Sequence, residues 1–345
     1  MAAIQSSAAT EREVQHISER QYYQIRSFSV LQSYHERTHR RSEHIISDRS
    51  TLVYLLMPRM SFIRGNDRRA NIRRSLELIA DDISRGLRSR QPLIKPNLVS
   101  STNQLASSHV DQVRGILDVI TPLYPGRILI AEASCHDTRE AYRNFGYAAL
   151  IDEYNVELVD LDAEEYQEIL VSDTGRRTRM TGVSRLLMDT RYYRVSAAKI
   201  KTHDTVIVSF SIKNMAMGAV RNSDRKAVHG DFRTANRNIA EIAEQVWPDL
   251  AVIDGMVGME GNGPSRGEPV HLGVAFAGTD ALAVDRLACD FIGVDFHSVG
   301  YLHYCAEKGL GTAELGQTAV AGDRFEPRDV PLRLHEGMHE QLSWK

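Results

Sequence analysis

The feature of this sequence that most constrains its fold is an alternation, from residue 51 onward, of short apolar runs with longer segments of helical spacing. Apolar runs that predict strands lie at 53–57, 92–99, 127–133, 156–161, 193–200, 205–212, 249–254, 270–277 and 317–321. Segments with the apolar spacing of helices lie at 69–87, 109–123, 139–154, 235–246 and 280–292. This alternation predicts an α/β fold of mostly parallel sheets flanked by helices, with Rossmann-like layering.

The same pattern divides the chain into three parts. Residues 1–50 are polar with helical apolar spacing in places, which indicates a helical N-terminal extension and a candidate arm for a homodimer. Residues 51–325 form the predicted α/β domain, with 51–162 and 190–325 as candidate lobes on either side of a cleft. The polar stretch between the lobes is interpreted as an excursion from the sheet, and residues 326–345 as a tail.

Composition excludes several classes of protein. The 345 residues carry a net charge of −3, whereas nucleic-acid-binding domains usually show a basic excess, so we expect no nucleic-acid partner. No apolar run approaches the roughly 20 residues of a membrane span, and no secretory signal is visible, so we expect a cytoplasmic protein with no membrane partner. The cysteines, Cys135, Cys289 and Cys305, lack CxxC spacing, which argues against a disulfide scaffold, a zinc ribbon and a ferredoxin-type cluster.

Lysine is used sparingly and unevenly. Only seven of the 42 basic residues are lysine, and four of these seven lie between 199 and 226. A chain that uses arginine for most positive charges is expected to keep lysine where a compact ammonium, an adjustable pKa or an amine nucleophile is needed. The structural alternative is chance clustering, with lysine stems packed on apolar surface. We therefore take 199–226 as a candidate site segment.

This basic segment begins with Lys199-Ile200-Lys201-Thr202-His203, which continues a predicted strand. Alternate side chains of an extended chain share a face, so Lys199, Lys201 and His203 are predicted to point the same way. Two ammonium groups on one face repel each other unless an anion lies between them. The repulsion lowers the pKa of one of them, which suits a base or an amine nucleophile. A solvated charged loop is the alternative interpretation.

The remainder of the segment is also basic. A second lysine–asparagine pair, Lys213-Asn214, precedes a stretch of small residues that includes Gly218 and is predicted to be flexible; Arg221 and His229 follow. Only two acidic residues interrupt the segment. A local basic excess inside a mildly acidic chain attracts carboxylates or phosphates.

Polar residues also follow other predicted strands, at the sheet edge where α/β proteins bind ligands. Lys95 and Asn97 follow one strand, and Ser108 or its neighbour can cap the next helix and present free amides to an anion. Glu132 ends another strand and is favoured over Cys135, in the loop after it, as a contributor to the site. Ordinary strand and helix caps are the alternative for these positions.

An acidic residue is predicted to close a further strand. Asp254 ends the run at 249–254 and precedes a glycine-rich loop, 255–267, that contains Asn262. An acid before a flexible loop is a usual position for a site residue, and glycines let a ligand approach the backbone closely. A plain tight turn is the alternative, and the loop matches neither a Walker A motif nor GxGxxG.

An ordered series of motifs resembles a known family. The motifs are I-K-P-N at 94–97, K-I-K-T-H at 199–203, S-I-K-N with Gly218 at 211–218, His229, D-G at 254–255 and G-N-G-P with Gly267 at 261–267. In this order they resemble the domain of unknown function 362 family, over roughly residues 51–325. Many members carry a ferredoxin-like cysteine segment that this sequence lacks, so the resemblance implies no iron–sulfur cluster here.

The cofactor is otherwise left open by the sequence. No closely spaced pair of metal ligands is visible in the sequence. A divalent metal is compatible with the predicted site but is not required for it. The residues chemically suited to hold such a metal are His109, His203, His229 and Asp254.

These observations predict an enzyme that acts on a small anionic metabolite, a carboxylate or a phosphate, in a biosynthetic pathway. Proton transfer or covalent lysine chemistry is expected at Lys201, His203, Lys213, His229 and Glu132. Substrate binding is expected at Lys95, Asn97, Ser108, Lys199, Asn214, Arg221, Asp254 and Asn262. Isomerisation, elimination, cyclisation and ligation all stay open. The alternatives are a non-catalytic binding protein for an anionic metabolite or metal-bound cofactor, and an interaction protein that acts through residues 1–50.

Overall fold

The structure is a computed structural model that describes residues 59–174 and 177–345. The predicted extension at 1–50 and the predicted strand at 53–57 lie outside the described residues. The strands within the described ranges are β1 (Arg59–Arg64), β2 (Gln91–Lys95), β3 (Ile128–Glu132), β4 (Val156–Asp160), β5 (Tyr166–Ser172), β6 (Thr178–Ser184), β7 (Tyr192–His203), β8 (Ile207–Ser209), β9 (Leu250–Glu260), β10 (Glu268–Gly278) and β11 (Ala319–Gly322). The α-helices there are α1 (Arg68–Glu77), α2 (Ala80–Leu87), α3 (Val110–Ile120), α4 (Thr138–Asn144), α5 (Leu150–Glu153), α6 (Arg185–Met188), α7 (Ser211–Ala219), α8 (Asn222–His229), α9 (Phe232–Gln245), α10 (Ala281–Phe291), α11 (Gly300–Glu307) and α12 (Met338–Gln341).

Nine of these strands form one mixed sheet. Its order is β11-β1-β10-β9-β7-β2-β3-β4, and β8 pairs with the end of β7. Neighbouring strands are parallel from β9 to β4 and between β1 and β11, whereas β10 is antiparallel to both of its neighbours. The predicted α/β fold with a mostly parallel sheet flanked by helices is confirmed. Strands from both predicted lobes lie in this sheet, and the predicted excursion contains the separate β5–β6 hairpin.

Strand β7 lies in the middle of the sheet and is buried on both faces. Val195 and Ala197 belong to the apolar core that includes residues of α1 and α3. The side chains of Ala198 and Ile200 belong to the core on the other face, with residues of α7, α9 and α10. This layering follows from the period-two alternation of a strand. Strand β7 pairs with β2 only as far as Ser196. The last residues of β7, 201–203, therefore extend past the end of β2.

Strand β9 continues through residues that the sequence predicts as a glycine-rich loop, and this prediction is wrong. Antiparallel pairing with β10 runs as far as Glu260, so only 261–267 is a loop. Gly255 is a strand residue at a position without room for a side chain, since an added Cβ would lie 2.6 Å from Val274 Cγ2. Asp254 therefore lies inside a strand rather than at its end.

The residues after Phe210 form the buried helix α7, whereas the sequence predicts a flexible stretch around Gly218. Phe210, at the N-cap, has no side-chain oxygen to offer the first backbone amides of this helix. The carboxylate of Asp285, on α10, accepts hydrogen bonds from the amides of Ser211 and Ile212, both at 3.0 Å. This long-range cap satisfies amides that would otherwise be buried without a partner.

Candidate active site

A cavity of about 510 Å³ lies where the carboxyl ends of central strands face helices α7 and α8. Strand ends and the residues just after them contribute Asn97, Glu132, Lys201 and His203. Helices α7 and α8 contribute Lys213, Asn214, Gly218, Arg225, Lys226 and His229. All five residues predicted to be catalytic therefore line one cavity, at the edge of the sheet where parallel α/β folds bind ligands.

A second depression, of about 590 Å³, lies along α1. Its charged groups are surface pairs, such as Arg69 with Asp118 at 2.7 Å and Arg73 with Glu77 at 3.5 Å. Exposed pairs of this kind are common and need no ligand to neutralise them. We place no site there.

A buried ion pair joins the ends of two neighbouring strands next to the cavity. Lys95 Nζ, at the end of β2, lies 2.6 Å from Glu132 Oε2, at the end of β3. Burial lowers the pKa of Lys95 and raises that of Glu132, while each charge stabilises the other. Helix α7 approaches the pair at Gly218, where an added Cβ would lie 2.0 Å from Lys95 Nζ. Glycine is needed here because the lysine occupies the space of a side chain.

Two asparagines connect this ion pair to Lys201. Asn214 Oδ1 accepts hydrogen bonds from Lys95 Nζ at 3.1 Å and from Asn97 Nδ2 at 3.2 Å. Asn97 Oδ1 in turn accepts a hydrogen bond of 2.6 Å from Lys201 Nζ. The resulting chain of side chains crosses three adjacent strands, β7, β2 and β3, and holds their ends in one arrangement.

Lys201 is a buried ammonium whose protein partners are neutral. Besides Asn97 Oδ1, its Nζ donates to the carbonyl oxygen of Ala106 at 2.7 Å. Burial lowers its pKa well below the usual value, and Lys199 and Lys213 lower it further. No carboxylate in the described residues lies within ion-pair distance of Lys201 Nζ, so an anion in the cavity would favour the charged form of this amine.

Lys213, in the first turn of α7, is buried without any hydrogen bond or ion pair to the described residues. Burial lowers its pKa to about 8, with the nearby Asp204 opposing the shift and Arg225 adding to it. The positive end of the helix also disfavours an ammonium in the first turn. This amine is therefore partly neutral close to physiological pH.

Two histidines face each other at the cavity with their rings stacked. The ring centroids of His203 and His229 are 6.0 Å apart. Burial and Lys213 lower the pKa of His203 to about 3 and that of His229 to about 4, so both rings are neutral at pH 7.

The two neutral rings have different tautomers, because their Nδ1 atoms have different partners. The Nδ1–H of His229 donates to the carbonyl oxygen of Arg225 at 2.9 Å, which leaves a lone pair on Nε2. In His203, Nδ1 accepts from the amide of Thr205 at 3.0 Å, which leaves the proton on Nε2. When His203 is charged, its Nδ1 pairs instead with Asp204 Oδ1, which lies 3.1 Å away. At neutral pH the cavity thus has one imidazole acceptor and one imidazole donor.

Lys199 does not line this cavity, although the alternation of β7 predicts that it shares a face with Lys201 and His203. The pairing of β7 with β9 is irregular at this point, because a step of two positions along β7, from Lys199 to Lys201, corresponds to a step of five positions along β9. Lys199 lies opposite Asp254, whose carboxylate bonds to Arg68 Nε at 2.8 Å. Burial lowers the pKa of Lys199 to about 8, while Asp254 opposes the shift.

Three other residues predicted to bind substrate have structural partners outside the cavity. The hydroxyl of Ser108 donates to the carbonyl oxygen of Ala197 at 2.8 Å, so it does not cap helix α3. The N-cap of this helix is His109, whose ring accepts a hydrogen bond from the amide of Asp111. Arg221 pairs with Glu168 of the hairpin at 2.8 Å. The side-chain oxygen of Asn262 accepts from a backbone amide of the C-terminal segment.

Several cavity residues were not predicted from the sequence as site residues. Arg225, Lys226 and Asp204 lie within the basic segment but were given no role. Arg225 and Lys226 lie four and three residues before His229. In a helix this spacing places the three side chains on one face, so the pattern could have indicated these two residues. Arg225 Nη1 also lies 3.5 Å from Sγ of Cys135, an exposed thiol at the rim of the cavity.

The family model described as "Domain of unknown function (DUF362)" matches residues 93–290, more than half of the chain. The chain belongs to the DUF362 family. All residues that line the cavity, from Asn97 to Pro264, lie inside the match. The family resemblance of the ordered motifs is thereby confirmed, and the cavity is a feature of the DUF362 segment.

Relatives of this DUF362 protein match only part of their length. A thylakoid-associated protein of Synechocystis is 24% identical over 209 residues, which cover 59% of this chain and 63% of the relative. The chain therefore spans less than two thirds of that curated relative. A crystal structure from Thermotoga maritima is 13% identical and covers 57% of this chain and 52% of its own, with a TM-score of 0.31, too low to support an argument about the fold.

The described residues contain neither a cluster of metal ligands nor a membrane-spanning helix. Among these, no group of three or more His, Cys, Asp or Glu side chains is placed to hold a metal ion. Of the candidate ligands, His203 and His229 line the cavity, whereas His109 and Asp254 do not. No helix in the described ranges has both the length and the apolar character that spanning a membrane requires. The cytoplasmic location and the homodimer through residues 1–50 stay predictions.

Proposed function

We propose that this DUF362 protein is an enzyme that acts on a small anionic metabolite, a carboxylate or a phosphate, in the cavity between the sheet and helices α7 and α8. The observation that carries the proposal is an excess of cationic side chains. Lys201, Lys213, Arg225 and Lys226 line the cavity. Its two carboxylates already have partners, Glu132 with Lys95 and Asp204 with the hydroxyl of Thr205.

An anion is the ligand that this excess favours. Burying an ammonium without a counter-ion costs free energy, and a bound carboxylate or phosphate offsets that cost at Lys201 and Lys213. The volume of about 510 Å³ lies within the range of sites for small metabolites. Neutral ligands of the same size gain no such compensation.

Catalysis is favoured over binding alone by groups that can move protons. A neutral His229 with a free Nε2 suits a general base, and Lys213 provides an amine with a lowered pKa of about 8. An anion could be bound by ordinary, fully charged surface lysines, so lowered pKa values are not needed for binding.

A ligand panel tests the anionic substrate class. We expect carboxylates and phosphates, and not neutral analogues of equal size, to raise the unfolding temperature and to appear as a mass excess in native mass spectrometry. Lys201→Met should remove both effects, whereas Lys308→Met, which alters a lysine paired with Glu244 outside the cavity, should retain them. Anion binding that persists in Lys201→Met would contradict the proposed site.

A second variant separates an enzyme from a binding protein. Once an anion that binds is known, His229→Gln should abolish its conversion while binding is retained, because glutamine cannot accept and return the proton. Unchanged conversion in His229→Gln would remove this histidine from the mechanism. Binding of all panel anions without conversion of any would support the binding protein instead.

A further inference from the structure

Lys213 differs from the other lysines at the cavity in being buried while its amine has no hydrogen-bond partner among the described residues. Lys95 is held in its ion pair with Glu132, and Lys201 donates two hydrogen bonds to neutral oxygens. Lys226 lies on α8 and is exposed. The side chain of Lys213 is 7% exposed, lines the cavity and has no hydrogen bond to the described residues. An amine left free in this way is available for chemistry.

We propose that Lys213 is an amine nucleophile that forms a Schiff base with the carbonyl carbon of an anionic aldehyde or ketone, such as a 2-oxo acid. This inference rests on the proposed function and specifies its substrate class. A carboxylate or phosphate on the same molecule would be held by Lys201 and Arg225, which line the same cavity, and the bound anion would favour the charged form of Lys201.

The surroundings of Lys213 favour the neutral amine that such an attack requires. Its place in the first turn of α7 puts it at the positive end of the helix, and Arg225 adds a second positive charge. Burial lowers the pKa of Lys213 to about 8, while Asp204 opposes the shift and Arg225 adds to it. At pH 8 about half of this amine is neutral, roughly a hundredfold more than for a lysine of ordinary pKa.

The condensation balances with groups that line the cavity. The lone pair of Nζ forms the carbon–nitrogen bond while the carbonyl π bond breaks and its electrons pass to oxygen. His229 Nε2 accepts one amine proton and delivers it to that oxygen, giving the carbinolamine. The nitrogen then forms the double bond, the carbon–oxygen bond breaks, and the second amine proton reaches the departing water by the same route. Nε2–H of His203 is a donor for the oxygen as charge develops on it.

Reductive trapping tests the assignment. The full chain is incubated with glyoxylate or pyruvate at pH 8, reduced with sodium borohydride, digested and mapped by mass spectrometry. We expect the adduct on Lys213, with a yield that rises between pH 7 and pH 9. Lys213→Arg retains the positive charge and should lose this adduct. The matched control, Lys308→Arg, changes a lysine that pairs with Glu244 outside the cavity and should retain it.

Each outcome bears on the proposal. An adduct on Lys213 that is present in Lys308→Arg and absent in Lys213→Arg supports it. Labelling of other lysines with Lys213 unmodified overturns it. If the probes raise the unfolding temperature of the wild type and of Lys213→Arg but leave no adduct, the Schiff base is wrong while the anion site stands. If no anion binds at all, the proposed function fails as well.

Discussion

The ammonium of Lys95 and the carboxylate of Glu132 form an enclosed ion pair, 2.6 Å long, that joins the ends of parallel strands β2 and β3. The side chains are 0% and 3% exposed, so neither charge is compensated by water. The pair continues through Asn214 and Asn97 to Lys201. The position of Lys201 therefore depends on a buried contact in which Glu132 lines the cavity and Lys95 lies next to it.

Removal of the carboxylate from this pair should destabilise the fold. Glu132→Gln leaves the Lys95 ammonium buried without a counter-ion, and we expect a loss of roughly 3–5 kcal/mol in the free energy of unfolding, measured with urea. Glu153→Gln, which breaks the more exposed pair with Arg114, should cost less than about 1 kcal/mol. Equal effects in the two variants would show that burial does not set the strength of the Lys95 pair.

A methyl group at Gly218 should disturb the same pair from the helix side. The added Cβ of Gly218→Ala would meet Lys95 Nζ at 2.0 Å, so the lysine or α7 has to move. We expect a loss of about 1–3 kcal/mol in unfolding free energy together with weaker anion binding. In the control, Gly316→Ala, the new Cβ meets no atom within 4 Å, and stability should be unchanged. A stable Gly218→Ala variant with normal binding would contradict this packing.

Acidification should destabilise the protein through the two stacked histidines. Their folded-state pKa values, about 3 for His203 and about 4 for His229, lie below the ordinary 6.5. Between these values the unfolded chain binds more protons than the folded one, so stability is complete above about pH 6.5 and is lost as the pH falls towards 4.

The histidine contribution can be isolated by comparing variants across this pH window. The shift at His229 alone corresponds to about 3 kcal/mol at its limit. Urea unfolding at pH 7.5, 6 and 5 should therefore show a shallower pH dependence in His229→Gln than in the wild type. Parallel curves for the two proteins would mean that His229 titrates normally.

Two lysines that lie two residues apart should contribute differently to anion binding. Lys201 lines the cavity, so Lys201→Met should weaken the binding of a panel anion about 10- to 100-fold, as expected for the loss of a charged hydrogen bond. Lys199 lies opposite Asp254 outside the cavity, so Lys199→Met should change the dissociation constant about twofold or less, measured by calorimetry. Equal losses of affinity in the two variants would indicate that both lysines contact the same bound anion.

Much of the framework could be predicted because it depends on local patterns. The apolar runs that became β2, β3, β4 and β7 are visible as such, since a buried strand needs apolar side chains on both faces. The uneven use of lysine also identified the segment that contains Lys201 and Lys213. Some local patterns are compatible with two structures. The glycines after Asp254 predict a loop, but in the structure the first of them belong to strand β9.

The residues that the sequence misplaced depend on distant partners. The separation of Lys199 from Lys201 arises from an irregularity in the pairing of β7 with β9, and strand alternation contains no information about it. Ser108 was predicted as a helix cap, but its hydroxyl instead reaches the carbonyl of Ala197 on another strand. Helix α7 was predicted as flexible because its cap, Asp285, lies more than 70 residues away.

By itself the sequence determined the α/β class, the family and the basic segment, because periodicity, motif order and composition are properties of the chain that need no partner. Only the tertiary structure decided that Glu132 compensates Lys95, that Lys213 is left without a partner, and that His203 and His229 have opposite tautomers. These properties depend on burial and on which charged and polar groups meet. Residues far apart in sequence set them when the strands and helices pack.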